Sequence, residues 1–279
     1  MEKLYCDYLV IGAGAAGCVV ANRLSTQKQF KVYCIEAGGN DTNPFIKIPA
    51  GFSKTVYNPD LNWPYFTTPS KNTGNRSIKF PRGKVIGGSS SINGHLYVRG
   101  QAADYDGWAQ LGCTGWDWDS VLPYFKKAET RINGDEKFRG KNGPLIISDL
   151  TELHPLTKIF IDTVDKFGIK KNSDYNSGNQ EGTATYQNMI KNNVRWSAAD
   201  AYLKPILHRE NFKLIKNALV EKLVLKNKKI TAVLFKNNNK LKKINVRKEV
   251  ILSAGSINSP QILQLSGIGD RSHLEKLGL

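Results

Sequence analysis

Long hydrophobic runs are missing from this 279-residue chain. Nowhere do about 18 apolar residues follow one another, so no segment reads as a membrane span. Cysteine is scarce and unpatterned. Cys6, Cys18, Cys34 and Cys113 form no C-x-x-C pair and no zinc-type spacing, so no metal site is expected and a reducing compartment fits. Three of the four fall in or beside the first strand–helix–strand stretch and read as small core residues. The N-terminus has no basic stretch leading into an apolar core and cleavage site. The expected setting is cytoplasmic, with peripheral attachment to the inner membrane left open. There is no internal repeat and no low-complexity tail. Acidic residues are few beside basic ones, 24 against 40, which gives a net charge of +16. That excess could serve nucleic acid or an anionic surface. The lysines are scattered among asparagines, as in Lys226–Lys229 and Lys236–Lys243, and no nucleic-acid motif accompanies them, so nucleic acid is not an expected partner. With 40% hydrophobic and 23% charged residues, the chain is otherwise that of an ordinary globular protein with an ample core.

What the sequence does have is concentrated at its start. DYLVI, Asp7–Ile11, is a short apolar run that predicts a buried strand. Gly12, Gly14 and Gly17 follow as G-x-G-x-x-G. Ala16, Val19, Val20 and Leu24 then recur at helical spacing, and KVYCI predicts a second strand ending at Glu36. Each glycine has a task in dinucleotide binding: Gly12 for the tight turn, Gly14 for close approach of a pyrophosphate, Gly17 for helix–strand packing. The helix N-terminus offers free N–H groups and its positive dipole end. Glu36 lies about 20 residues further on, where a carboxylate can bind a ribose hydroxyl.

A polar stretch rich in proline and aromatics, Asn43–Ser70, predicts a long ordered loop or lid over a ligand. Gly83–Gly100, GKVIGGSSSINGHLYVRG, is too polar for a core strand. Its glycines and hydroxyls suit a phosphate or a flat ring. Asp104–Arg131 carries three of the five tryptophans, read as core, and a capped helix after Asp117–Asp119. Pro155–Phe167 predicts an amphipathic helix, Ser173–Gly182 a polar loop, and Arg195–Leu207 a helix starting near Ser197. From Asn211 onward FKLIK, ALVEKLVLK, ITAVLFK, LKKINVR and KEVILSAG predict strands, with an antiparallel meander returning to a buried strand at Val250–Ala254. A helix is expected to begin at Ser259 and Pro260 and to end at Gly267. That second strand–glycine–helix unit could join the first in one sheet.

Three stretches together resemble the glucose–methanol–choline (GMC) oxidoreductases: Asp7–Glu36, GKVIGGSSSINGHLYVRG, and GSINSPQILQLSGIG at Gly255–Gly269. YDGWAQLGCTGWDW and NNVRWSAADAYLKPILHRENFKLIKNALVEKLVL follow the same family's pattern between them. Within the family the sequence is most similar to the bacterial choline dehydrogenase and alcohol dehydrogenase branch. The resemblance implies a mixed α/β fold, a Rossmann-like FAD-binding domain with an antiparallel β-meander and an incomplete substrate domain. The implied division is 1–150 for the FAD-binding domain with its lid, 151–210 for part of a substrate domain, and 211–279 for a return to the first. FAD is the implied cofactor. Gly12, Gly14, Ala15, Ala16 and Gly17 would hold its pyrophosphate, and Glu36, with Ala37 beside it, its adenosine ribose. Val85, Gly88, Ser89, Asn93, Gly94, His95 and Leu96 would follow the pyrophosphate and flavin ring, and Val220 would meet the adenine. Some members attach the flavin through a histidine. Ile92 stands at that position, which implies non-covalent FAD. The His95 side chain is expected to be a bystander, and His154, His208 and His273 have no motif around them.

The implied reaction is oxidation of choline or another primary alcohol to the aldehyde, by hydride transfer to flavin N5, with electrons passed to a quinone-like acceptor or to oxygen. Leu279 falls shortly after Gly269, at roughly half the length the resemblance implies. No catalytic residue is therefore assigned here, since the active-site histidine is expected beyond Leu279. Competing readings are a non-catalytic FAD- or nucleotide-binding fragment, an oxygen-using alcohol oxidase, an NAD-dependent Rossmann enzyme and, most remotely, a lyase on the same scaffold.

Overall fold

The computed structural model describes residues 4–279. The chain forms two compact units, one running up to Asn93 and resuming at Ser197–Leu279, the other spanning Gly94–Trp196. The expected boundaries at 150 and 210 differ from these.

The first unit is built on a six-stranded sheet. Its order across is Phe212–Ile215, Val32–Ile35, Leu4–Ile11, Lys240–Leu252, Lys229–Asn237, Ala218–Lys226. The first three strands run parallel, in registers such as Tyr8↔Val32 and Tyr33↔Lys213. The continuous apolar runs Leu9–Ile11 and Val32–Ile35 are buried, as a parallel sheet covered on both faces requires. The last three strands form the meander. Its two hairpins turn at Asn227–Lys228 and Asn238–Asn239, where both residues of each turn have positive φ, the geometry of a two-residue type I′ loop.

LKKINVR and KEVIL are one strand of 13 residues, Lys240–Leu252, where two were expected. Residues 240–245 pair antiparallel with the hairpin and 244–252 pair parallel with Leu4–Ile11. The charged run Arg247–Lys248–Glu249 looks like a turn in sequence. It is instead the exposed middle of a strand that changes partners.

The helix Ala15–Leu24 also differs in detail from its expected pattern. It buries Gly17, Cys18 and Ala21, whereas Ala16 is exposed. Small side chains on that face let the helix lie close to the sheet. Buried Cys6, Cys18 and Cys34 are the small core residues expected, and burial pushes the Cys6 and Cys18 thiols up to about 12. The later helix starts at Gly255, ahead of Ser259, and accommodates Pro260 inside. It stops at Gly267 (φ +78) with Ile268 N–H donating to Leu263 O and Gly267 N–H to Gln264 O, a Schellman end.

The second unit contains the helices Ala102–Gln110, Trp118–Ala128 and Pro155–Lys166. Tyr105 gathers Trp108, Trp118 and Phe125 edge-on or tilted at 5.3–5.7 Å, yet Trp108 and Trp116 stay about half exposed, so the tryptophans are only partly core. This unit also buries charge. Arg139, fully buried, meets both oxygens of buried Glu129 at 2.7 and 3.1 Å, and reaches Asp174 at 2.6 Å and Gln187 at 2.9 Å. Buried Arg99 meets the same Glu129 carboxylate at 2.8 Å, so Glu129 has two cations. Removing one partner of a buried pair costs about 3–5 kcal/mol, and with Arg99 remaining Arg139→Leu is expected to lower the urea midpoint by at most that amount of stability; an unchanged midpoint would refute a structural role for the pair.

Candidate functional site

The glycine fingerprint, residues 83–90, the lid and the helix Gly255–Leu265 meet within the first unit around one cleft of about 1220 Å³. That exceeds the roughly 300–1,000 Å³ of ordinary small-molecule clefts and suits an elongated ligand.

Its floor is made of backbone. Gly12 has φ +97, and a Cβ there would meet Ser253 O at 2.5 Å. A Cβ on Gly17 would meet Gly12 O at 1.8 Å, so this glycine sets how closely helix and strand pack. Gly14 is the opposite case. A Cβ there would meet nothing within 4 Å, because the position opens into the cleft. No side chain caps the helix that Gly14 starts, so its first-turn N–H groups are left for a ligand. Gly88 (φ +54) closes over the same spot. Its Cβ would lie 2.8 Å from Gly14 Cα, and neighbouring Gly87 N–H donates to Ala13 O at 2.7 Å. The two glycine backbones are thus in contact with no room for a side chain between them, and the open space lies on the side of Gly14 that faces the cleft.

The three serines after Gly88 are not equivalent. Ser91 Oγ donates to Ile86 O, and Ser90 Oγ donates to Gly87 O and accepts from Ala198 N–H. Only Ser89 is exposed, with Oγ accepting from Gly83 N–H at 3.1 Å.

Glu36 sits at the far end of the strand that follows the helix. It is buried, and its two oxygens accept from Ala13 N–H and Gly38 N–H, both at 2.8 Å. Burial lifts its carboxyl above the ordinary range despite those two bonds. Each oxygen keeps a lone pair beyond the one used, and the residue lines the cleft.

Of the residues singled out in sequence, Gly12, Gly14, Ala15, Ala16, Glu36, Ala37, Gly88, Ser89 and Val220 line this cleft. Gly17 lies behind its floor, and Val85 is buried in a cluster with Ile46, Leu61 and Ile92. Exposed Asn93 is not among the walls, and its N–H donates to Ser89 O. Gly94, His95 and Leu96 belong to the second unit, where His95 Nδ1 is 3.0 Å from Asn188 Oδ1.

The stretch expected to form a lid over a ligand does line the cleft, through residues that the sequence did not single out. Trp63 and Tyr65 line the cleft as a stacked pair 5.9 Å apart, with the Lys84 ammonium over the Trp63 ring at 4.9 Å. The Tyr65 hydroxyl donates to Asn258 Oδ1 on the later helix. The base of the lid is pinned by four charges. Lys47 and Lys204 each bridge Asp41 and Asp200 at 2.6–2.9 Å. Burial alone would lift the Asp200 carboxyl, but bonds from Lys204, Lys47 and Ser197 hold it below its ordinary value. Aromatic residues in an aperiodic loop give no pattern from which this role could be read.

Gly14 and Gly17 make a contrasting pair of tests. Gly14→Val is expected to fold with an unchanged melting midpoint while occupying the space a ligand phosphate needs. Gly17→Ala is expected to lose about 1–3 kcal/mol or more by overpacking. Denaturation of both variants checks this, and equal stability would contradict it.

Comparison with known proteins matches the geometry. Residues 6–278 fit the GMC oxidoreductase family model. The "Oxygen-dependent choline dehydrogenase" of Rhizobium johnstonii is 42% identical over 276 residues, covering 99% of this chain and 50% of that protein. The protein of the same description from Vibrio vulnificus is 43% identical over 281 residues, covering 100% and 50%. Among solved structures, pyridoxine 4-oxidase from "Mesorbium loti" superposes with a TM-score of 0.94 at 31% identity, covering 98% of this chain and 54% of that one. An FAD-dependent oxidoreductase from Chaetomium thermophilum superposes at 0.90 with 30% identity, covering 98% and 49%. The chain spans about half the length of the curated relatives it matches. With its fingerprint, meander and glycine-lined cleft assembled in one sheet, this chain belongs to the GMC oxidoreductase family.

Proposed function

We propose that this chain binds FAD without a covalent bond and forms the cofactor-holding part of an enzyme that oxidises an alcohol, choline or another primary alcohol, to the aldehyde. The observation that carries the reading is the pairing of an open Gly14 backbone at one part of the cleft with a buried, outward-facing carboxylate at another. The pyrophosphate would lie on the first-turn N–H groups of Ala15 and Ala16, beneath Gly88. Glu36 would accept from the ribose hydroxyls with its remaining lone pairs, and Ala37 and Val220 would flank the adenine. Ile92 is buried with Val85 and offers no nucleophile, which favours a dissociable cofactor. When bound, the flavin supplies the two-electron redox chemistry that alcohol oxidation needs.

The lid residues Trp63 and Tyr65 would cover the bound cofactor and exclude water, held by the Tyr65–Asn258 bond. No residue of this chain is assigned as the base that takes the hydroxyl proton. His95 is engaged with Asn188. The acceptor would be quinone-like, with attachment at a membrane surface. Among the described residues, no helix is long and apolar enough to cross a membrane. Oxygen is the second reading for the acceptor, favoured by the descriptions of the relatives and of the pyridoxine oxidase.

Titration of the unliganded protein with FAD, followed by flavin fluorescence, tests the reading. Saturable 1:1 binding that Gly14→Val abolishes is expected, and binding that survives in the folded variant would overturn it. Glu36→Ala is expected to weaken binding about ten- to a hundredfold, from the roughly 1.5–3 kcal/mol carried by hydrogen bonds to a charged group. The pH dependence has a definite sign. Glu36 has a raised carboxyl pKa, so the ionised acceptor is complete above that raised value and is lost as pH falls through it. FAD affinity should decline on acidification in the wild type and less steeply in Glu36→Ala; parallel pH profiles would argue against the ribose contact.

A further inference from the structure

The charge of this protein is unevenly shared. The unit Gly94–Trp196 carries 13 basic and 13 acidic residues and the rest of the chain 27 and 11, so the whole net charge of +16 belongs to the first unit. A general compositional bias would load both units alike. Within the first unit the excess is concentrated again: residues 213–248 hold 12 lysines and arginines against a single acid, Glu221. In sequence these lysines are spaced among asparagines and leucines. Strand pairing gathers them. Residues directly opposite in an antiparallel pair lie on the same face. The registers Lys243↔Leu234↔Lys222 and Leu241↔Lys236↔Leu219 run across all three strands of the meander, and Lys226↔Lys229 closes one hairpin end. The alternate positions Leu223, Val233 and Ile244 are buried in the core, so the lysine rows face solvent.

This face is built at a cost. Like charges directly opposite each other destabilise a sheet, and Lys226 and Lys229 are such a pair. Among the described residues, Lys236 pairs with Glu221, whereas Lys222, Lys226, Lys229 and Lys243 take part in no ion pair. Lysines on an exposed strand edge block pairing with other chains, which accounts for Lys222 and Lys226 on the edge strand. Edge protection does not account for Lys229 and Lys236, which lie on the strand inside the meander. An anionic partner does. Two observations favour a lipid surface over a nucleic acid. Leu219 and Leu241 flank Lys236 in its row at 43% and 56% exposure, aliphatic groups suited to a headgroup layer. Bases stack on free aromatic rings. The ring beside this face, Tyr5 opposite Asn245, already has Lys31 over it at 4.4 Å and Arg247 at 4.2 Å. We propose that the outward face of the meander, Lys222, Lys226, Lys229, Lys236 and Lys243 with Leu241, docks this protein on an anionic lipid surface. This docking would effect the membrane attachment proposed above, on which it rests, and leaves FAD binding untouched, because none of these lysines lines the cleft.

Co-sedimentation of the 279-residue chain with phosphatidylcholine vesicles, plain or containing about a quarter phosphatidylglycerol, tests the docking. Binding to the anionic vesicles alone is expected, falling as salt rises. Each lysine near an anionic surface contributes about a fivefold gain, so Lys222→Gln with Lys243→Gln is expected to weaken binding about thirtyfold. Leu241→Ser should weaken it several-fold. Lys158→Gln with Lys166→Gln removes the same charge from the neutral unit and should leave binding nearly unchanged. All five positions are exposed, so the variants should keep the wild-type circular dichroism spectrum and FAD affinity. A wild type that ignores both kinds of vesicle, or binds both equally, would overturn the docking and, in the first case, membrane attachment with it. If the wild type binds and the two double variants weaken it alike, attachment stands and this face is overturned as its site. Tighter binding to a single-stranded oligonucleotide, weakened by the Lys222 and Lys243 changes but not by Leu241→Ser, would overturn the lipid assignment in favour of nucleic acid.

Discussion

One buried carboxylate ties the nucleotide-binding end of this protein together. Glu36 ends the second strand, and its oxygens hold the N–H of Ala13 in the glycine turn and the N–H of Gly38 in the loop that follows. Neither N–H has a place in the sheet ladder, so the carboxylate replaces the partners that a strand would have given them. Burying the charge is costly and raises its pKa, and the two bonds orient the lone pairs that remain on its oxygens. The turn, the strand end and the cleft wall therefore share a single fixing point. Removing it changes all three at once.

Around that point, glycines and charges divide the work. Gly12, Gly17 and Gly88 bring three backbones within distances that no side chain allows. The Asp41–Lys47–Asp200–Lys204 quartet, partly screened from solvent, fixes the base of the lid whose Trp63 and Tyr65 face the cleft. Positions in such a quartet constrain one another, because each lysine serves two carboxylates. The gain is geometric as much as energetic, since exposed pairs are individually weak.

Much of the architecture was legible before any coordinates. The glycine fingerprint, the apolar strands beside it and the alternating runs of the meander each carry a local signal, and these elements form in the first unit's sheet. The parts that escaped depend on distant partners. Arg247, Lys248 and Glu249 read as a turn because nothing local says that the strand passes from one neighbour to another. Ser90 and Ser91 read as ligand groups until their carbonyl partners are seen. Arg139 and Glu129 are ordinary charges in sequence, and only the fold buries them together. The unit boundary at Asn93 fell inside the second glycine-rich stretch, which reads in sequence as one segment. Placement of the cofactor-contact residues is a matter of resemblance and geometry together, and Gly94, His95 and Leu96 fall in the other unit.

The pairing of Leu4–Ile11 with the second half of Lys240–Leu252 joins segments nearly the whole length of the chain apart. Ribosomes add about 5–20 residues per second, so the first strand must wait on the order of ten to fifty seconds for its neighbour to be made. Through that interval the fingerprint exists as sequence while one edge of its strand is unpaired. Sheets closed by such distant parallel pairing fold slowly, because the loop entropy is spent before the contacts form. The nucleotide cleft thus cannot close until Lys240–Leu252 has been made, well after the fingerprint that lines it.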